Sequence, residues 1–209
     1  MLQETNSILL STAYLAPIQY YSKLVNFSPV WIEYQEHFPK QTYRNRCHIY
    51  GANGLLALSI PLKKHKEKTV TRDIKISYDS QWQKIHWKSI ESAYRCSPFF
   101  EFYEDRLTPY YQKKNVSYLI DFNEALQTTI LDILKVIVKL EYTEFYLKES
   151  LEKKDYRMFI TPKQMNNIDS EFKLLPYIQV FQDKHGFISN LSIIDLLFNQ
   201  GPSSLDFIL

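Results

Sequence analysis

Hydrophobic and polar positions near the N-terminus predict a strand, a helix and a second strand in succession. Residues 7–12 form a short apolar run typical of a buried strand. Apolar side chains over residues 18–25 fall at helical spacing, and residues 30–34 predict the next strand. This order favours parallel strands, with the loop of residues 13–19 at the carboxyl edge of the sheet, where ligands bind.

Residues 41–62 predict a β-hairpin. A polar segment that ends in Arg44-Asn45-Arg46 leads towards a tight turn at Asn53-Gly54, and residues 55–60 then predict a strand. The segment therefore places a dense group of hydrogen-bond donors directly against a core strand.

The clearest helix is predicted over residues 82–93, where apolar side chains recur at three- and four-residue intervals. Ser80 is its predicted N-cap, and Ser97-Pro98 predicts the start of the following helix. Residues 148–173 are polar and lack periodicity, so they predict a loop that either covers a site or is mobile. The other predicted elements are strands at residues 69–77, 142–147 and 177–181 and helices at residues 123–140 and 193–198.

Together these elements predict an α/β fold. A chain of 209 residues lies within the range of a single domain, and a domain of this length buries roughly 70% of its unfolded surface. We expect one domain over residues 1–209, with a mixed, partly parallel sheet flanked by helices. Its opening is a Rossmann-like strand-helix-strand unit, and a small helix lies near the C-terminus.

Composition narrows the classes of function. The net charge of +2 is nearly neutral, so no nucleic-acid partner is expected. The chain has only 4 Gly and contains neither a P-loop nor a dinucleotide fingerprint. No apolar run approaches the ~20 residues that cross a bilayer, and the N-terminus lacks the features of a signal peptide. With only 2 Cys, the chain is expected to be a cytoplasmic protein with reduced thiols.

Motifs for nucleophilic catalysis and metal binding are missing from the sequence. There is no GxSxG elbow, and the 5 His show neither HExxH nor HxH spacing, so no metal site is expected. His86 lies on the apolar stripe of its predicted helix, which favours a hydrogen-bonded core histidine over a catalytic base.

Arg44, Asn45 and Arg46 are a stronger indication of a binding site. Guanidinium groups bind phosphate or carboxylate through two hydrogen bonds, and the Asn amide recognises hydroxyls, so the three could hold an activated sugar. In a strand, Arg44 and Arg46 would share one face while Asn45 points to the other. The alternative is that both arginines pair with carboxylates such as Asp73 or Glu101, and spacing alone does not separate the two interpretations.

Several motifs resemble those of the WbqC-like family. YRNRC at 43–47 is followed by ANGLLALSIPL at 52–62, and HWKSIESAYRCSPFFEFYED follows at 86–105. Further matches are AYLAPIQYYSKL at 13–24, LIDFNEAL at 119–126, YIQVF at 177–181 and GFISNLSIIDLLFNQGP at 186–202. The resemblance spans almost the whole chain.

The resemblance implies a role in bacterial cell-surface polysaccharide (O-antigen) biosynthesis, as a transferase that modifies a nucleotide-activated amino sugar by acyl or aminoacyl transfer. No cofactor is evident, and the implied partners are a nucleotide sugar or an acyl donor as small-molecule substrate. The family's motifs fall on Gln19, Lys40, Gln41, Tyr43, Arg44, Asn45, Arg46, Asn53, Asp73, His86, Glu101, Asn190 and Asp195.

Two hypotheses follow from these residues. In the first, Arg44 and Arg46 bind a phosphate-bearing substrate, Asn45 orients the sugar, and His86 or Asp195 removes a proton from the attacking amine. In the second, the chain is a non-catalytic binding or assembly protein of a glycan-biosynthesis complex, and the polar residues stabilise the core. The oligomeric state stays open.

Overall fold

The computed structural model describes residues 7–148, 153–165, 171–173 and 175–209. Its strands are β1 (Ile8–Ser11), β2 (Val30–Glu33), β3 (Arg46–Gly51), β4 (Gly54–Ser59), β5 (Leu140–Tyr142) and β6 (Lys154–Asp155). The helices are α1 (Ile18–Asn26), α2 (Trp82–Tyr94), α3 (Phe100–Leu107), α4 (Pro109–Gln112), α5 (Leu119–Ile133), α6 (Gln182–His185) and α7 (Ile193–Gln200). Short 3-10 turns lie at Thr71–Asp73, Pro162–Gln164 and Gly201–Phe207.

A parallel sheet forms the centre of the fold. Its 4 strands lie in the order β5-β2-β1-β6, and every neighbouring pair is parallel. β3 and β4 form a separate antiparallel hairpin. The α/β fold class and the β1-α1-β2 opening are confirmed, with the parallel and antiparallel pairings in two different sheets.

Burial explains why the first elements form where the pattern predicts them. Every residue of β1 is buried, and the apolar side chains of Val30 and Ile32 in β2 are buried as well. The helix α7 is also buried along most of its length and contacts α1, α3 and β3. The hairpin and the helices are thereby fixed around one continuous apolar core.

Three predicted strands are wrong. Residues 69–77 form a 3-10 turn at Thr71–Asp73 and otherwise only isolated β-bridges. Their apolar side chains reach the core although the backbone forms no continuous series of hydrogen bonds with a neighbouring strand. The pairing near residues 142–147 is limited to β5, which ends at Tyr142. Residues 177–181 form no strand, and there the Gln179 side chain, rather than a neighbouring strand, bonds the backbone of Ile188.

Helix boundaries also differ from the prediction. α5 begins at Leu119 and ends at Ile133, since Lys135 adopts a left-handed conformation with φ of +57°. Beyond it the chain is irregular, and Ile137 is fully exposed rather than buried. Gln81 rather than Ser80 precedes α2, without a side-chain cap, and α3 begins at Phe100 rather than at the predicted Pro98.

No helix in the described part of the chain has the length and apolar character needed to span a bilayer. The predicted loop at residues 148–173 contributes β6 and the turn at Pro162–Gln164 to the described structure, and its residues 149–152 and 166–170 lie outside the described part. The assignment of residues 1–209 to one domain stays a prediction.

Candidate functional site

A cleft lies at the carboxyl edge of the parallel sheet. Since all four strands run the same way, their last residues meet at one edge, which is where ligands bind in open α/β sheets. The cleft has a volume of about 570 Å³, within the range of small-molecule sites. Its lining residues are Gln35, Glu36, His37, Pro39, Tyr146, Lys148, Asp155, Arg157 and Met158.

Glu33, the last residue of β2, is a fully buried carboxylate beneath this edge. Its Oε1 accepts hydrogen bonds from the Gln35 backbone N–H and the Thr143 hydroxyl, both at 2.7 Å. Its Oε2 accepts from Arg157 Nη1 at 3.0 Å and from the Leu147 backbone N–H at 3.2 Å. Four donors therefore compensate the charge that burial would otherwise penalise.

Arg157 joins Glu33 to a second carboxylate. It donates to Asp155 from Nε at 3.0 and 3.1 Å and from Nη2 at 2.5 Å. Burial alone would raise the pKa of Asp155, but the hydrogen bonds from Arg157 outweigh it and hold that pKa below its usual range. The Tyr146 ring lies 5.4 Å from the Arg157 guanidinium carbon.

Arg44 and Glu36 form the second buried ion pair of the edge. Arg44 Nε and Nη2 donate to the two oxygens of Glu36 at 2.6 and 2.7 Å, a bidentate geometry. Nη2 also donates to the Ser11 hydroxyl at the end of β1, at 2.5 Å. The Ser11 hydroxyl in turn donates to the backbone oxygen of Arg157 at 3.4 Å, so the two pairs are linked.

The predicted shared face of Arg44 and Arg46 is wrong. Arg44 lies in a turn before β3 and is buried, whereas Arg46 begins β3 and donates from Nε to the Ser59 hydroxyl at 3.0 Å. The alternative, pairing with a carboxylate, is confirmed for Arg44, but the partner is Glu36. The two suggested partners are wrong, because Asp73 is exposed beside Arg72 and Glu101 is exposed on the first turn of α3.

Gln19, Asn45 and Asn190 make internal hydrogen bonds. Asn190 Nδ2 donates to Gln19 Oε1 at 3.1 Å, and the Gln19 backbone N–H donates to Asn190 Oδ1 at 3.0 Å. Asn45 Nδ2 donates to the Ile60 backbone oxygen at 2.9 Å. The structure brings Gln19 and Asn190 together, but neither lines the cleft.

Lys40, Gln41 and Asn53 are exposed residues of turns, outside the cleft lining. Tyr43 is buried instead, and its ring packs edge-on against His48. Of the candidate residues in the YRNRC motif, Arg44 is therefore the one whose side chain joins the buried network at the carboxyl edge.

His86 is buried on α2, in an aromatic environment. A hydrogen bond of 2.9 Å joins its Nδ1 to the Tyr14 hydroxyl, which makes a second one of 2.9 Å to Tyr111. Burial lowers the pKa of His86 to about 4, so the ring is neutral around pH 7. His86 does not line the cleft, and its catalytic assignment stays a prediction.

Asp195 lies on α7, where it is fully buried. The Tyr94 hydroxyl donates to Oδ1 at 2.8 Å, and the Tyr177 hydroxyl and Gln179 Nε2 donate to Oδ2 at 2.5 and 3.0 Å. Burial raises the pKa of Asp195 to about 6, and these three hydrogen bonds limit the increase. Asp195 lies outside the cleft lining as well, and its catalytic role stays a prediction.

Glu33, Glu36 and Arg157 belong to the site but are not predicted from the sequence. Glu33 ends an apolar strand, and a carboxylate at the carboxyl end of a parallel strand was the available signal. Arg157 is 124 positions away from Glu33 along the chain, so no local pattern could pair them.

Comparisons with known proteins confirm the family that the sequence motifs resemble. The WbqC-like protein family matches residues 12–166. The chain is 24% identical over 215 aligned positions to the uncharacterized protein Rv1507c of Mycobacterium tuberculosis, an alignment that covers 92% of this chain and 93% of that protein. No solved structure gives a significant match. Because the family match spans most of the chain, this protein belongs to the WbqC-like protein family.

Proposed function

We propose that the protein is a transferase that modifies a nucleotide-activated amino sugar, by acyl or aminoacyl transfer, in the biosynthesis of a bacterial cell-surface polysaccharide. The observation that carries the proposal is the cleft at the carboxyl edge, whose wall includes both members of the Arg157–Asp155 ion pair and the carboxylate of Glu36. The chain belongs to the WbqC-like family, and the context of glycan assembly is what the resemblance to that family implies.

The chemistry of the lining suits a sugar. Sugar hydroxyls both donate and accept hydrogen bonds, and the alternating carboxylates and guanidinium of the cleft provide fixed acceptors and donors for them. Tyr146 and Met158 add exposed apolar surface to the same cleft, against which the apolar face of a sugar ring can pack. Lys148 supplies a cation for a diphosphate group at the rim.

His37, which lies outside the family's motifs, is a candidate for proton transfer in the cleft. An amine nucleophile must lose a proton, and His37 lines the cleft with an exposed side chain. Histidine is the side chain suited to this role near neutral pH. His86 and Asp195 are less suited, because both are buried and already hydrogen-bonded to tyrosine hydroxyls.

Calorimetric titration with a panel of nucleotide sugars tests the proposal. We expect at least one nucleotide amino sugar to bind, and Lys148→Met to weaken that binding about tenfold through loss of the cation at the rim. Lys84→Met, which removes an exposed cation outside the cleft, is the matched control and should bind normally. Absence of binding by the whole panel, or equal losses in both variants, contradicts the proposal.

Activity requires a second assay, in which the bound sugar is incubated with acyl and aminoacyl donors and the products are identified by mass spectrometry. We expect a mass increase on the sugar, and a slower rate for His37→Asn with unchanged sugar affinity. Such a split between rate and affinity is typical of a proton acceptor.

A non-catalytic binding or assembly protein is the second candidate. The observation that favours it is the use of Gln19, Asn45 and Asn190 for internal hydrogen bonds rather than for the cleft. Under this alternative the nucleotide sugar binds as described, but no donor yields a product.

A further inference from the structure

The parallel sheet has an open edge at β5. In the described part of the chain the strands lie in the order β5-β2-β1-β6, so β5 has a neighbouring strand on one side only. The opposite edge of the sheet is the shorter one, because β6 has 2 residues and β5 has 3. An open strand edge presents N–H and C=O groups that can pair with another chain. We call the segment of residues 137–143 the β5 edge.

Hydrogen bonds to β2 show which backbone groups of the β5 edge point outwards. The Lys139 backbone oxygen accepts a bond from β2, and the Thr143 backbone N–H donates to β2. Alternate residues of a strand direct their backbone groups to opposite sides, so those of Leu140 and Tyr142 face away from β2. On that outer side no described residue forms a backbone hydrogen bond with them. The β5 edge therefore has unpaired donors and acceptors in the positions that an added strand would use.

Exposed apolar side chains accompany these backbone groups. Ile137 is fully exposed, Phe145 is 78% exposed and Tyr142 is 36% exposed. Phe145 and Tyr142 also line a surface depression of about 340 Å³, together with Trp31 and Leu147. Large apolar side chains that are exposed close together indicate a surface that binds another macromolecule.

Lys139 and Glu141 place opposite charges on one face of the β5 edge. Lys139 Nζ lies 3.3 Å from Glu141 Oε1, and the two side chains are 68% and 38% exposed. Both residues direct their backbone groups towards β2, so in an added antiparallel strand they occupy positions without hydrogen bonds to it. Facing side chains come closest at such positions. These two charges therefore decide which alignment of an added strand is favourable.

A second copy of the same chain satisfies the charges in one register. Two copies related by a twofold axis pair antiparallel, with one residue of each strand on the axis. An axis at Lys139 or at Glu141 places that residue opposite its own copy, and like charges that face each other are destabilising. An axis at Leu140 instead places Lys139 opposite the partner's Glu141, and Glu141 opposite the partner's Lys139.

We propose that this protein forms a twofold-symmetric homodimer in which the β5 edges of two copies pair antiparallel, with Leu140 on the axis. The two four-stranded sheets then join into one continuous sheet. The same register brings Ile137 opposite the partner's Thr143, which lines the depression beside Trp31 and Phe145. The dimer does not depend on the proposed transferase activity.

Sedimentation velocity of the full chain tests the dimer. At about 100 μM we expect the wild type to have twice the 25.0 kDa mass of one chain. Glu141→Lys and Lys139→Glu should each weaken self-association about tenfold or more, since each places like charges opposite each other. A monomeric wild type at this concentration overturns the proposal.

Mixing the two variants provides the decisive measurement. In a mixed pair, two positive positions of one chain face two negative positions of the other, so the mixture should dimerise at least about tenfold more strongly than either variant alone. A change in folding within one chain cannot produce this recovery. Equal self-association of wild type and Glu141→Lys, or no recovery on mixing, overturns the proposed pairing.

Glu91→Lys is the matched control. It makes the same change of charge as Glu141→Lys, in an ion pair with Lys88 on α2 rather than at the β5 edge. We expect this variant to dimerise like the wild type. A loss equal to that of Glu141→Lys would show that net charge, rather than the β5 edge, controls association, and would also overturn the proposal.

Discussion

Two regions of this molecule bury carboxylates in different ways. At the carboxyl-edge site, the guanidiniums of Arg44 and Arg157 hold the buried Glu33 and Glu36, and Arg157 also holds the more exposed Asp155. In the Asp195 cluster, one carboxylate is held by neutral donors from Tyr94, Tyr177 and Gln179. Cationic partners lower the pKa of Asp155, whereas burial among neutral groups raises that of Asp195.

The difference indicates which region is suited to a ligand. The carboxyl-edge site borders a cleft of about 570 Å³, and Glu36, Asp155 and Arg157 line that cleft. In the Asp195 cluster, both carboxylate oxygens are bonded and the carboxylate does not line the cleft. The carboxyl-edge site therefore has polar groups beside a cleft that can hold a ligand, whereas the Asp195 cluster holds α7 against the residues around it.

The largest effect is expected from Arg157→Met. Removing this guanidinium leaves Glu33 buried without a cationic partner, which should lower the free energy of unfolding by about 3–5 kcal/mol. Urea unfolding at constant pH measures the loss. Arg95→Met is the matched control, because it breaks an exposed pair with Glu91 and should cost less than about 1 kcal/mol. Similar losses in the two variants would mean that the buried ion pair contributes no more to the free energy of unfolding than the exposed pair does.

Asp195 should make the free energy of unfolding depend on pH in a distinctive way. Its folded-state pKa of about 6 lies above the ordinary value of 3.8, so the folded protein binds the proton more tightly than the unfolded chain. This contribution to stability is full below about pH 4 and is lost as the pH rises through about 6. At about 1.4 kcal/mol per pKa unit, it amounts to about 3 kcal/mol.

Comparison of wild type with Asp195→Asn isolates that contribution, since all other titrating groups are shared. The advantage of wild type over the variant should grow as the pH falls from about 7 to about 4. Asp206→Asn, which changes an exposed carboxylate, is the control variant. A wild-type advantage that shrinks towards low pH would show that Asp195 is held as an anion, like Asp155.

A smaller effect is expected from Tyr146→Ala, on binding rather than on folding. The ring is 53% exposed and lines the cleft, so its loss should weaken nucleotide-sugar binding by about 1 kcal/mol while stability changes by less than about 0.5 kcal/mol. Phe102→Ala removes another exposed ring, 73% accessible, outside the cleft lining. Titration calorimetry of both variants should show a loss for Tyr146→Ala alone.

The smallest effect is expected from Arg46→Ala. This side chain is partly exposed, and its guanidinium donates to the Ser59 hydroxyl rather than to the site, so stability should fall by less than about 1 kcal/mol and ligand affinity should not change. A large loss of affinity would restore Arg46 to the binding site and weaken the distinction between the two arginines.

Local pattern predicted the elements that depend on local burial. β1, α1, β2, the hairpin and α7 lie where hydrophobic spacing places them, because each buries an apolar face that the spacing describes. Residues 69–77 have a similar alternation but form no strand, since nothing in a local pattern shows whether a neighbouring strand is present.

The site was harder to predict because long-range pairing determines it. Arg44 was identified from its chemistry, but its partner Glu36 and the link through Ser11 depend on a turn that precedes β3. The Glu33–Arg157 pair spans 124 positions and requires the order of the strands in the sheet. Side-chain chemistry therefore identified Arg44 as a site residue, whereas its partners in the site are brought together by the topology of the fold.

Hydrogen-exchange mass spectrometry of the full chain, with and without the nucleotide sugar that binds most tightly, tests the central claim most directly. The ligand should protect backbone amides in residues 33–37 and 153–158, which border the cleft, and should leave residues 177–199 around Asp195 unchanged. Protection confined to residues 177–199 would place the ligand at the Asp195 cluster and contradict a binding site at the carboxyl edge.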